Sequence, residues 1–345
     1  MSLPIPSPLA GEGRGSPSPS PLAGEGRGRG IPTFDDVLAA RERIAPYLKP
    51  TALHRYPALD ELVGTQTWVK HENHQPICAF KIRGGINLMS QLSDDERRSG
   101  VITASTGNHG QSIAYAAGLF GVRAIICVPE GANPVKVQSI RGLNAEIISH
   151  GKDFDEAREH CERLAAEHGY RYIHSGNEPH LIAGVATEAL EIMEQQPDIE
   201  VIIVPVGGGS GASGTCIAAK AINSKVQVIG VQSAEAPAAY RSWKERRLVT
   251  DRMGTIAEGM ATRTAFELPQ RILREKLDDF VLVPDAELRT AVRLMIETTR
   301  NLAEPAGAAA LAAALQLKDR LRGRRVALIL SGANITPSQL REFLG

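Results

Sequence analysis

The sequence has no net charge, no closely spaced cysteines and no long apolar run, and each absence closes a class of function. Its 39 Lys and Arg residues cancel 39 Asp and Glu, so no global field favours nucleic acid or a membrane surface as partner. The four cysteines, Cys78, Cys127, Cys161 and Cys216, lie far apart without a CxxC pair. That fits reduced thiols better than a disulfide frame or a zinc site. No apolar stretch reaches the roughly 18 residues of a membrane helix, and the N-terminus lacks the basic region and apolar stretch of a secretion signal. A cytosolic protein is expected. GxxxxGK[ST] is missing as well, which excludes a Walker-type nucleotide site.

What remains is a 345-residue chain, 43% hydrophobic and 23% charged, long enough for one or two substantial cores. The first thirty residues stand apart: "SPLAGEGRG" occurs at 7–15 and again at 20–28 among Pro, Gly and Ser. Such a segment has too little to bury to offset its ordering entropy, so residues 1–30 are expected to be a disordered low-complexity tail outside the fold.

From Ile31 onward strand-like and helix-like stretches alternate. "TWVKHE" reads as a strand, "FKIRGGINLMSQL" as a helix, "GVITAS" as a strand and "GNHGQSIAYAAGLFG" as a helix; "RAIICVP", "AEIISH", "IEVIIVPVGGG", "KVQVIGVQ", "FVLV" and "RRVALIL" supply further strands. This is the α/β signature. Unbroken apolar runs imply strands covered on both faces, and about nine of them suggest two mostly parallel sheets. Ser233 to Asp279 is less regular.

Four turns between a strand end and a helix are where an open parallel sheet binds ligands. "VPVGGGSGASG" (204–214) offers converging backbone N–H groups and a helix N-terminus, suited to phosphate. Gly209, Gly211 and Gly214 also match GxGxxG, but Gln232 stands where a dinucleotide fold wants an acid. "ASTGNHGQ" (104–111) gathers Ser105, Thr106 and Asn108 beside free helix-start N–H groups, a cradle for a carboxylate. "LILSGAN" (328–334) ends a buried strand in Ser331. "PICAFKIRGG" (76–85) puts Lys81 at the start of an apolar helix. Helix dipole and burial both lower an amine's pKa there and raise the neutral fraction able to attack a carbonyl.

In content and order these turns resemble the threonine/serine dehydratase and serine racemase family of fold type II pyridoxal-phosphate (PLP) enzymes, from about Ile31 to Gly345. The resemblance implies a tryptophan synthase β-like fold of two three-layer α/β/α domains: a large PLP-binding domain from 31–98 and 177–345, a small one from 99–176, and no C-terminal regulatory domain. By the same resemblance Lys81 forms the Schiff base, with Phe80 beside it; Asn108 meets the ring hydroxyl; Gly207, Gly208, Gly209, Ser210 and Gly211 hold the phosphate; Ser331 faces the pyridine nitrogen. The substrate carboxylate docks on Ser105, Thr106, Gly107, Asn108 and His109, and Lys81 takes the α-proton. A serine opposite the ring nitrogen makes a weaker electron sink than a carboxylate, which favours prompt β-elimination. The implied activity is dehydration of L-threonine or L-serine to a 2-oxo acid and ammonia, in a homodimer or homotetramer.

The chain also departs from that family. Ile77 and Cys78 stand where Gly or Thr-Gly is usual, suggesting altered pocket size or oxidation sensitivity. Ser210 replaces a fourth loop glycine. Thr106 occupies the position of the racemases' acid/base serine and many dehydratases' alanine. Gln232 and Ala238, with only Glu235 near, replace the carboxylates of a divalent-metal site, so no metal is expected, and His71 and His74 lack a further ligand. A racemase, or a dehydratase of a bulkier or acidic β-hydroxy amino acid, is the second reading; a dinucleotide oxidoreductase leaves Lys81, Asn108 and Ser331 unexplained, and a non-catalytic sensor leaves Lys81 so.

Overall fold

The computed structural model describes residues 30–344; the tail expected over 1–30 lies, but for Gly30, outside them. Ten strands form two sheets: β1 (Leu53–Arg55), β2 (Gln66–His71), β3 (Val101–Ala104), β4 (Ala124–Val128), β5 (Glu146–Ser149), β6 (Arg171–Tyr172), β7 (Val201–Pro205), β8 (Gln227–Ser233), β9 (Asp279–Val283) and β10 (Arg325–Leu330). The larger sheet runs β1-β2-β10-β7-β8-β9 and the smaller β5-β4-β3-β6. Every pairing is parallel except β1 with β2.

The apolar runs are doubly covered, as expected. On β7, Val201 and Ile203 enter one core with the Ala-rich helix Pro305–Gln316, while Ile202 and Val204 enter another with Ala212 and Cys216 of the helix Ser210–Ile222. A period of two thus divides each strand between two cores. The smaller sheet repeats the device: Val101 and Ile126 pack with Ile113 of the helix Asn108–Phe120, Ile102 and Cys127 with Cys161 of the helix Phe154–His168. The two sheets with helices on both faces match the expected architecture.

The irregular stretch after Ser233 holds two helices, Ala238–Glu245 and Glu267–Lys276, separated by a long connection that reaches the site. No helix among the described residues is long and apolar enough to cross a membrane.

Candidate active site

Strand ends β3, β7 and β10 and the start of the helix Lys81–Met89 meet around one cavity of about 570 Å³. It is lined by Phe80, Lys81, the whole of 105–109, Gly207 to Gly211 and Ser331. Every site residue expected from sequence is therefore on its wall, although these residues lie up to 251 positions apart (331 minus 80).

Lys81 opens its helix with no side-chain cap before it. Its Nζ donates to Ser210 Oγ at 2.8 Å and to the Ser175 carbonyl at 3.2 Å. Burial brings its pKa down to about 8, with Glu188 pulling the other way. Ser210, expected from sequence among the phosphate-holding residues, thus joins the glycine turn to the lysine.

The turn itself is shaped by close approach. A Cβ on Gly207 would sit 2.2 Å from the Gly259 carbonyl oxygen, and Gly209 has φ +95°. No other residue type fits both positions without moving backbone. The helix Ser210–Ile222 then starts with no side-chain cap, leaving its N–H groups for an anion. Gly214 serves packing instead: a Cβ there would lie 2.8 Å from the Ala186 nitrogen. The GxGxxG match is a helix contact and not a dinucleotide fingerprint.

At the 105–109 turn the Ser105 hydroxyl accepts from Gly107 N at 3.2 Å, and the helix Asn108–Phe120 again has no side-chain cap. His109 points its ring away from that cradle. Its Nε2 lies 3.0 Å from Thr103 Oγ1, which donates to the Ile173 carbonyl at 2.7 Å, so Nε2 carries the proton and buried Nδ1 has no partner. Only the backbone of His109 is available to a carboxylate. Thr106 is half-buried on the same wall.

Asn108 is held from two sides. Asn334 Nδ2 donates to the Ile77 carbonyl at 2.9 Å and to Asn108 Oδ1 at 2.7 Å; Asn108 Nδ2 donates to Glu304 Oε1 at 2.6 Å. One Asn108 N–H remains for a ligand. Glu304 comes from "AEPAG" (303–307) and Asn334 ends "LILSGAN". Burial pushes the Glu304 carboxyl pKa up. Ser331, 7% exposed, lies on the wall while its carbonyl accepts from Phe80 N at 3.1 Å, tying β10 to the lysine segment.

Cys78 corrects an expectation. It is exposed and not on the cavity wall; what sets it apart is φ +53°, the left-handed region that favours glycine. A glycine at this position would answer a backbone requirement. Replacing Cys78 by Gly should stabilise the fold by about 0.5–1 kcal/mol, read as a rise in urea midpoint at unchanged slope. No rise would refute the strain.

His71 is engaged by Tyr56 at 2.8 Å and His74 by Asn301 at 2.7 Å. Among the described residues no group of three or more His, Cys, Asp or Glu is arranged to hold a metal. Gln232 Oε1 instead accepts from Tyr240 N at 2.9 Å.

A glycine turn at a helix start, a lysine beside it, a held asparagine and the 105–109 turn share one cavity, on the two-sheet fold of a fold type II PLP enzyme. The family model described as "Pyridoxal-phosphate dependent enzyme" matches residues 44–332, and the chain belongs to that family, with PLP as its cofactor. It is 38% identical to the L-threonine ammonia-lyase of Thermotoga maritima over 90% of this chain and 78% of that one. To the L-threo-3-hydroxyaspartate ammonia-lyase of Saccharomyces cerevisiae it is 36% identical over 88% and 94%. The structure of maize serine racemase superposes with a TM-score of 0.86 at 32% identity, over 91% of this chain and 97% of that one.

The residues present fit the cofactor: two uncapped helix starts for anions, a turn where a Cβ would strike Gly259, and an amine lowered toward neutrality.

Proposed function

We propose that this chain is a PLP-dependent dehydratase that converts a β-hydroxy amino acid, L-threonine or L-serine, to a 2-oxo acid and ammonia. The carrying observation is Lys81 Nζ, held 2.8 Å from Ser210 Oγ at the head of the glycine turn and in one cavity with the 105–109 cradle. When bound, PLP supplies an electron sink conjugated to the substrate's α-carbon. Gly207 to Gly211 hold its phosphate, Asn108 its ring hydroxyl and Ser331 its ring nitrogen, with Phe80 along the ring. Ser105 to His109 orient the substrate carboxylate, and Lys81 takes the α-proton as general base. The ammonia-lyase relatives at 36% and 38% identity support this activity. Residues 99–176 make the small domain, and residues 31–98 with 177–345 the large one. Amino-acid catabolism in the cytosol, by a homodimer or homotetramer, is the setting that goes with this reaction.

Holoenzyme supplied with L-threonine and L-serine should release 2-oxo acid. Release of the D-amino acid alone would overturn dehydration in favour of racemisation, with the Thr106 hydroxyl as the group to test.

The Lys81 pKa sets a pH dependence of cofactor capture. Only the neutral amine attacks a carbonyl, so apoprotein should take up PLP about tenfold faster per pH unit as pH rises toward about 8, then level off. Growth of visible absorbance after mixing measures it; a rate still climbing tenfold per unit above pH 9 would mean an unshifted lysine.

A further inference from the structure

The cofactor phosphate, the ring and the substrate carboxylate each have a side of the cavity under the function proposed above, on which the following inference rests. The substrate's β-substituent is left to face the remaining wall, which includes Arg158, Tyr172, His174, Arg263 and Phe266. The two arginines there are already engaged. Arg158 pairs with Glu162 at 2.8 Å on its own helix, and Arg263 lies 3.4 Å from Asp155.

His174 differs. Its Nδ1 accepts two backbone N–H groups, from Gly176 and Asn177, both at 3.0 Å. A nitrogen that accepts cannot carry the proton, so Nε2 does. The ring is locked edge-on against Phe266, with centroids 4.6 Å apart, so the Nε2–H direction is fixed too. No described residue accepts from Nε2, and it is not among the buried unpartnered atoms, so it is open to the cavity. The next residue, Ser175, gives its carbonyl to Lys81 Nζ at 3.2 Å. A donor of fixed direction therefore stands one residue from the group that holds the base.

We propose that His174 is a catalytic residue of the elimination step, donating its Nε2–H to the β-hydroxyl oxygen as the Cβ–O bond breaks. Lys81 takes the proton from Cα, the C–H electron pair becomes the Cα–Cβ double bond, and the Cβ–O pair stays on the departing oxygen. That oxygen leaves as water with the proton Lys81 removed. His174 keeps its own proton throughout: it stabilises developing negative charge as a preorganised neutral donor and needs no reprotonation. Burial, with Arg158 nearby, brings its pKa down to about 4, so the ring is neutral across the working range.

Such a donor matters in proportion to the charge on the leaving atom, and this gives the test. His174→Phe and His174→Asn holoenzymes would be assayed with L-serine and with β-chloro-L-alanine, whose chloride leaves without help. His174→Phe should lose about 100-fold in kcat on L-serine and less than about threefold on β-chloro-L-alanine, with the visible absorption of bound cofactor unchanged. His174→Asn, which keeps an N–H, should stay within about tenfold of wild type on both. An equal fall on both substrates, or no fall on L-serine, would overturn the assignment and leave the dehydratase reading standing. Wild-type enzyme releasing no 2-oxo acid from any β-hydroxy amino acid would overturn that reading and the role of His174 with it.

Discussion

Lys81→Ala should abolish turnover and remove the violet, borohydride-bleachable absorption of cofactor-supplied protein in one step. The two readouts fall together because, under the proposed function, one atom serves both: Lys81 Nζ would hold the cofactor and also take the α-proton. Loss of the general base alone is worth about 10²–10⁴-fold, and loss of the covalent anchor adds to it. No neighbour can step in. The other lysine on the cavity wall is Lys136, whose Nζ is held 2.5 Å from Glu258 Oε2. Folding should be little affected, since Lys81 gives up two polar contacts and its burial is unfavourable to its charge. A thermal melt close to wild type beside a colourless, inactive protein is the expected outcome; an active variant would remove the central claim.

How much of this was readable from the chain depends on what each residue answers to. Three of the four turns were legible because each follows an unbroken apolar run, and such runs mark the strand ends where parallel sheets bind ligands; the Lys81 segment follows the mixed "TWVKHENHQ" and was legible from its own apolar, glycine-containing setting. Asn108, Ser331 and the glycine turn sit on the cavity for the first reason. The long helices and the eight principal strands followed from periodicity. β1 and β6, of three and two residues, are too short to show a period and are half-exposed at sheet edges. Glu304 and Asn334 were missed because their role is to orient Asn108, 196 and 226 positions away, and a relay across that distance has no local pattern. His174 was missed for a related reason: its function rests on a tautomer fixed by two backbone N–H groups. Cys78 was misread because a side chain's bulk is visible in sequence and a positive φ is not.

Buried charge was the least legible feature. In "PHLIAGVATEALEIMEQ", Glu188 and Glu191 look like the polar face of a surface helix, yet both are buried, at 0% and 7% exposed. Neither Glu188 oxygen has a hydrogen-bond partner, and burial pushes its pKa well above the usual carboxylate range. Glu191 instead joins a charged cluster that the "FKIRGG" motif itself reaches through Arg83.

Arg83→Met should be the most destabilising of the substitutions considered, by about 3–5 kcal/mol. Arg83 is 1% exposed and uses both edges of its guanidinium: Nε and Nη2 donate to Glu72 at 2.7 Å each, Nη1 and Nη2 to Glu191 at 2.6 and 2.9 Å. With Lys70 Nζ on Glu191 at 2.5 Å, two cations balance two carboxylates inside the fold. Removing the one cation shared by both carboxylates leaves Glu72 charged, 0% exposed and without its ion-pair partner. Arg83→Lys should recover little, because a single ammonium cannot make two bidentate pairs. Chemical denaturation reads the loss, and a change below about 1 kcal/mol would refute it. The acid response provides an independent check. Burial raises the Glu72 pKa, but Arg83 overcomes this and holds it below its ordinary value. A carboxylate depressed in the folded state adds stability that is full above its unfolded pKa and lost as pH falls through the folded one. In Arg83→Met the largest opposing influence on Glu72 is gone and only Lys70 and the Thr51 hydroxyl still oppose burial, so its pKa should rise and mild acid should narrow the gap to wild type. Because Arg83 lies two residues past Lys81 in the same helical turn, the variant should also bind PLP more weakly, and the loss of fold and the loss of cofactor should track each other across a pH series.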